Sequence, residues 1–287
     1  MRGRTPLSTI GYYRLSGYWY PCRRPAGGML RDDRFVEGTR FRQVVRLYDA
    51  DRQLKLRLLD ALERIEIAIR VKIGFTLGRR GAYAHLDAEN LDGRFTRSDG
   101  GRPSTYDRWL QKVLAAQARS SEDFVLHFHS KYDGRLPVWV ITEILDFGAL
   151  SYLFQGLQAA DRNEIAASLG VLDRRAQGNG TALANWLRVL NYIRNVCAHH
   201  SRLWNRNLVD QVAPSHLRSI PDLQHLTAVS HSRVYSVLCV AAFLLSRLGH
   251  GAEWIRQLRE LISREFPACG RRLRELGFPA GWRVEYP

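Results

Sequence analysis

"RLYDADRQLKLRLLDALERIEIAIRVKIGFTL", Arg46 to Leu77, is the stretch whose reading decides the fold. Within it Leu47, Leu54, Leu58, Leu62, Ile65, Ile69 and Ile73 recur at intervals of three, four or seven. An α-helix turns about 100° per residue, so this spacing gathers one apolar stripe. Asp51, Arg57, Asp60, Glu63, Arg64 and Arg70 fill other positions, as the charged side of an amphipathic helix does. The helix is expected to weaken at Gly74 and Gly78 and to close at "GRRG", Gly78 to Gly81. Glu63 and Glu66 read as ion-paired surface groups on this arginine-rich helix, not as an acid–base pair.

The same period returns along the chain. "LDGRFTRSDGGRPS", Leu91 to Ser104, is a loop by composition. A helix is predicted from about Ser104 to Ala118, then a short one after Ser121, with Glu122 and Asp123 in its first turn. Another is predicted from Pro137 to about Gln155, with Pro137 at its first position and one interruption, "DFG", at Asp146 to Gly148. "AQGNG", Ala176 to Gly180, is a loop before a helix over about 181–207, and further helices are predicted over Ser230 to Leu248 and Ala252 to Phe266. No segment alternates as a strand should and no fixed repeat appears, so the class is all-α. "DFG" suggests a protein kinase, but no glycine-rich loop, V-A-I-K strand or H-R-D loop accompanies it. Gly148 reads as a point of close helix contact.

Composition limits the function. The 287 residues are enough for one large helical domain, and 45% hydrophobic with 25% charged residues is a globular profile. The formal net charge is +15, and all but four of the 43 basic residues are arginine. A chain so basic is expected to meet a polyanion: RNA, DNA or an anionic membrane surface. Cys22, Cys197, Cys239 and Cys269 form no C-x-x-C pair, and the start "MRGRTPLSTIGYYRLSGYWYPCRR" has no apolar signal core. Reduced thiols in the cytoplasm are the expectation. "VLCVAAFLLS", Val237 to Ser246, is too short to span a bilayer and reads as a buried helix.

The chemistry concentrates in "LRVLNYIRNVCAHHSRLWNRN", Leu187 to Asn207. Projected as a continuous helix, Ser201, Arg194, Asn205, Ala198, Asn191, Arg202, Asn195, Arg206 and His199 share an arc of roughly 160°. That arc carries arginines, asparagines, a serine and an imidazole, and no carboxylate. Tyr192, Leu203, Val196, His200, Ile193, Trp204 and Cys197 fall on the opposite, mostly apolar side. His199 is therefore expected at the surface and His200 in the core.

A face of donors with one titratable imidazole suits a phosphate-bearing ligand. Arginine offers paired donors to phosphate oxygens, and histidine moves protons near neutral pH. Metal-independent RNA cleavage needs a base for the ribose 2′-OH, an acid for the leaving 5′-oxygen, and a cation for the charge on phosphorus. His199 is the candidate base or acid, Arg194 the cation, and Asn195 the orienting group. Asn191, Arg202 and Arg206 are candidate RNA contacts. One histidine does not easily serve as both acid and base. Arg194 and His199 also lie about 140° apart on an ideal helix. A symmetric homodimer answers both points by supplying two copies of each. A Cys197 nucleophile and a zinc site of Cys197, His199 and His200 are both disfavoured, since these side chains point to different sides of one helix. No metal and no cofactor is expected.

"RNVCAHH" has the form of the R-x4-H motif of the HEPN superfamily, whose active members are metal-independent ribonucleases acting as dimers. A wider pattern joins it: "IGYYRLSGYWYP", "LYDADRQLKLRLLDALERIEIAIR", "HFHSKYDGRLPVWVITEILDFGALSYLF", "IRNVCAHHSRLWNR" and the terminal "LGFPAGW". Together they resemble the Abi family of abortive infection proteins, of the AbiD/AbiF type. The resemblance implies a HEPN-like helical bundle with additional helices and a single domain over 1–287. Within it, 1–90 would hold the aromatic segment and long helix, and 104–287 the HEPN-like core. It implies an anti-phage effector or toxin with Arg194, Asn195 and His199 as its site, a possible antitoxin, and a small structured RNA as partner. A non-catalytic RNA-binding or scaffold protein of the same fold is the other reading. Family members usually carry some tens of residues before "GYYRLSGYWYP"; here it begins at Gly11, which implies a misassigned start or a missing N-terminal helix. Tyr12, Tyr13, Tyr18, Trp19 and Tyr20 could stack on unpaired bases or pack against the long helix, and Arg14 is a candidate RNA contact.

Overall fold

The computed structural model describes residues 6–28 and 30–282. A turn of helix α1 (Pro6–Thr9) and the aromatic helix α2 (Tyr12–Trp19) precede a two-stranded antiparallel hairpin, β1 (Arg23–Gly27) and β2 (Leu30–Phe35). The long helix α3 (Phe41–Gly78) follows, then the single turn α4 (Gly93–Thr96). After it come α5 (Thr105–Arg119), α6 (Asp123–Lys131), α7 (Val138–Ile144), α8 (Phe147–Gly156) and α9 (Ala159–Ser168). Helices α10 (Gly180–Ala198), α11 (Tyr235–Arg247) and α12 (Gly251–Ala268) complete the all-α fold.

The apolar period of α3 makes it the axis of the molecule. Leu47, Leu54, Leu58, Leu62, Ile65, Ile69 and Ile73 are all buried, and α2, α7, α10, α11 and α12 pack around them. The buried apolar side chains from Leu15 to Phe278 form one cluster. The helix starts earlier than the stripe indicates because Gln43 caps it: its Oε1 accepts from the Arg40 amide at 3.2 Å.

Three sequence expectations are corrected. Gly74 does not weaken α3, which runs on to Gly78 and closes there within "GRRG" as expected. A Cβ on Gly74 would stand 3.3 Å from Trp139 Cα, so the glycine admits α7 to the helix backbone. Second, the helix expected from Pro137 to Gln155 is two helices broken at Leu145 and Asp146. The Arg70 guanidinium collects the carbonyls of Thr142, Glu143 (2.7 Å) and Leu145 (2.6 Å), ending α7. Asp146 then caps α8, accepting from the Ala149 amide at 2.7 Å. Third, a hairpin exists where no strand was predicted. Its residues are mostly exposed on both faces, so no alternation marks it.

Helix α11 is buried along Tyr235–Leu245, in agreement with its reading as a core helix. Among the described residues, no helix is long and apolar enough to cross a membrane. All four cysteines are free and buried.

Candidate functional site

Helix α10 begins at an Asn179 cap, whose side chain accepts from the Ala182 amide at 3.0 Å. Its buried side carries Leu183, Trp186, Leu187, Leu190, Ile193 and Cys197 into the core. The helix ends at Ala198, not near residue 207. The His199 amide still donates to the Asn195 carbonyl at 2.9 Å. The next two amides fold back: His200 to the Cys197 carbonyl at 3.0 Å and Ser201 to the Val196 carbonyl at 3.0 Å. This is a Schellman closure, and it places His200 in the left-handed region, with φ 54°.

That turn corrects the helical projection beyond His199. His200 is exposed rather than buried, because the chain has left the helix by then. Ser201, Arg202, Asn205 and Arg206 do not share the polar face of α10. A left-handed non-glycine residue costs roughly 1 kcal/mol or more. His200→Gly is therefore expected to raise stability by about 0.5–1 kcal/mol, after allowing for the freer unfolded chain. Thermal melts check this, and an unchanged or lower Tm would show that the turn carries no strain.

A buried carboxylate holds the turn in place. Asp51 of α3 is 0% exposed. Its Oδ1 accepts from the Trp204 amide at 2.6 Å, and its Oδ2 from the Leu203 amide at 3.2 Å and the Tyr18 hydroxyl at 2.6 Å. Lys55 pairs with Asp51 at 3.3 Å and donates to the Ser201 carbonyl at 3.2 Å. Burial, then the neighbouring Asp51 charge, pushes the Tyr18 hydroxyl pKa up, so Tyr18 stays a donor. The charge of Asp51 was expected on the solvated side of α3, and it is buried, as is Lys55 beside it. The signal was present in the sequence. Asp51 lies four residues after Leu47 and three before Leu54, inside the apolar stripe, where a carboxylate must find partners.

The predicted site residues divide into two groups. Arg14, Arg202 and Arg206 have protein partners. Arg14 is exposed and donates to the His200 carbonyl at 2.7 Å, a cation at the carbonyl end of a helix. Arg202 donates to the Gly17 carbonyl and lies over the Trp204 ring at 5.9 Å; burial lowers its pKa. Arg206 donates to the Tyr192 hydroxyl at 3.1 Å. The second group is Asn191, Arg194, Asn195 and His199. Among the described residues, none of these four side chains has a hydrogen-bond or ion-pair partner. Asn195 and His199 follow one face of α10, and Arg194 keeps its angular separation of about 140° from His199 because the helix runs regularly to its cap.

Asn191 reaches the first turn of α8. A Cβ on Gly148 would stand 3.4 Å from Asn191 Nδ2 and 3.2 Å from Asp146 Oδ1. That carboxylate is engaged on the α8 cap. Cys197 is buried, and burial pushes its thiol up to about 12, so it supplies no thiolate near neutral pH. Among the described residues no cluster of His, Cys, Asp or Glu could hold a metal ion. Of the aromatic segment, Tyr18 and Trp19 pack into the core, while Tyr12, Tyr13 and Tyr20 remain exposed.

A protein-family model described as Abi-like protein matches residues 5–205, which take in α2, α3 and the whole of α10 with its closing turn. No curated protein and no solved structure matches the chain.

Proposed function

Because the chain belongs to the Abi-like protein family and so has a role in abortive infection, we propose that it is the effector of that response, a metal-independent endoribonuclease. In this reading Arg194 and His199 are an R-x4-H pair of the HEPN superfamily, and the chain is of the AbiD/AbiF type. The observation that carries the reading is a contrast at the end of α10. The backbone of the turn is tied down at His200, Ser201, Leu203 and Trp204, while the side chains of Arg194, Asn195 and His199 have no partners among the described residues. A rigid frame presenting free donors and an imidazole is the arrangement that positioned catalysis requires.

The reaction follows from those groups. The 2′-oxygen of a ribose attacks the adjacent phosphorus as His199 takes its proton. The bond from phosphorus to the 5′-oxygen breaks, and His199 of the partner subunit protonates the leaving oxygen. The products are a 2′,3′-cyclic phosphate and a 5′-hydroxyl. Arg194 neutralises the charge gathering on the phosphoryl oxygens, and Asn195, one turn before His199, orients the imidazole or the phosphate. Asn191 and the free donors of Arg14 hold the strand at the rim, with Arg206 beyond them. Two copies are required because one imidazole cannot hold both protonation states, and because Arg194 and His199 of one helix do not converge. The homodimer, the RNA and a neutralising antitoxin are thus the partners of this reading.

The test is incubation of the purified protein with RNA in EDTA. Cleavage to 2′,3′-cyclic phosphate ends is expected. RNA bound tightly but never cut would overturn the nuclease and favour a scaffold that holds a structured RNA.

A further inference from the structure

A cleft of about 210 Å³ opens between α5 and α8, lined by Thr105, Arg108, Trp109, Lys112, Ala149 and Tyr152. Its floor is rigid. The buried Trp109 donates its indole N–H to the Ala149 carbonyl at 2.9 Å and stacks on Tyr106 at 6.1 Å. Its rim is cationic and aromatic. Arg108 donates to the Thr105 hydroxyl at 3.2 Å. Lys112 follows one turn later, with its ammonium 5.9 Å from the centroid of the Tyr152 ring. Tyr152 is 48% exposed.

The charge at this rim is not neutralised by the described residues. Among the described residues, neither Arg108 nor Lys112 has an ion-pair partner; the carboxylates nearest in sequence are committed elsewhere. Asp107 accepts from the Ser104 amide at 2.8 Å and the Ser104 hydroxyl at 2.7 Å, and these bonds hold its pKa down. Asp146 is engaged on the Ala149 amide. Two cations over a phosphate and a half-exposed aromatic ring for a base are what an unpaired nucleotide needs.

The cleft also adjoins the α10 site. Gly148, which meets Asn191, is followed directly by Ala149 of the cleft floor. Tyr152 lies one helical turn beyond Gly148, about 6 Å along the axis. We propose that the α5–α8 cleft is a subsite for single-stranded RNA, in which Arg108 and Lys112 hold a phosphodiester and Tyr152 stacks a base beside the cleavage position. This rests on the reading of α10 as an RNA-cleaving site. It adds a requirement that the R-x4-H pair does not impose: the RNA must be unpaired where it crosses α8, since a paired base has no free face for Tyr152.

Binding of fluorescein-labelled single-stranded RNA tests it, in a His199→Ala background that prevents cutting. Arg108→Ala with Lys112→Ala is expected to raise Kd about tenfold and to flatten the slope of log K against log salt by roughly 0.7 for each phosphate no longer neutralised. Tyr152→Ala is expected to raise Kd about fivefold for intact RNA and to leave an abasic strand unaffected, with Tyr152→Phe restoring binding. All these positions are exposed, and a thermal melt verifies that each variant folds. Unchanged Kd and salt slope in the double variant, with RNA still bound, would overturn the subsite alone. Uridine monophosphate bound as tightly as the strand would make the cleft a nucleotide pocket and overturn the strand path. A protein that binds no RNA would overturn this inference together with the nuclease.

Discussion

Asp51→Ala is expected to destabilise the protein by about 3–5 kcal/mol, the usual cost of stripping one partner from a buried ion pair. The reason lies in what the carboxylate serves. Its removal leaves the Leu203 and Trp204 amides and the Tyr18 hydroxyl without an acceptor, and the Lys55 ammonium without its carboxylate, in a dry part of the molecule. Domains of this kind are stable by about 5–15 kcal/mol, so the variant is left with a small margin. Asp51→Asn keeps one acceptor oxygen and is expected to fall between wild type and Asp51→Ala. Urea unfolding measures both, and hydrogen exchange at Leu203 and Trp204 should quicken first. An unchanged midpoint for Asp51→Ala would remove Asp51 from its place as keystone of the turn.

His199→Ala is expected to have the opposite profile. The imidazole is exposed and has no partner among the described residues, so stability should stay within about 0.5 kcal/mol. RNA cleavage should fall by roughly 10³ or more, because both acid and base disappear from a shared site. Mixing the variant with an equal amount of wild type, after subunit exchange, separates two arrangements. If the two copies build one site, activity per wild-type chain drops, leaving roughly a quarter of the all-wild-type rate in a random mixture. If each copy acts alone, half remains. An undiminished rate in His199→Ala itself would end the nuclease assignment.

How much of this was readable without coordinates differs from element to element. The course of α3 was legible because its apolar side chains are buried at a regular period. The hairpin was not, since strands exposed on both faces have no inward side to mark. The break between α7 and α8 depends on Arg70, which is more than seventy positions away in the chain. Periodicity sees neighbours only. The end of α10 escaped for another reason: its left-handed residue is His200, where a glycine would have announced the cap. Of the candidate residues, Asn191, Arg194 and Asn195 lie on regular helix and His199 at its cap, where a helical projection still applies. The burial expected for His200, and the shared helical face expected for Arg202 and Arg206, failed because each lies past the point where the helix stops.

The contacts from Asp51 to Leu203 and Trp204 bridge 152 and 153 residues. Such distant closures form late, since the chain between them must be in place first. On a ribosome, α10 emerges long after α3, and its terminal turn stays open until Trp204 has cleared the exit tunnel. A nascent chain that ends between His199 and Trp204 holds Arg194 and His199 but lacks part of the backbone that Asp51 ties down. An interrupted round of translation that stops short of Trp204 therefore releases a chain in which the Asp51 carboxylate has no Trp204 amide to accept from, and the end of α10 is fixed only once synthesis has passed that residue.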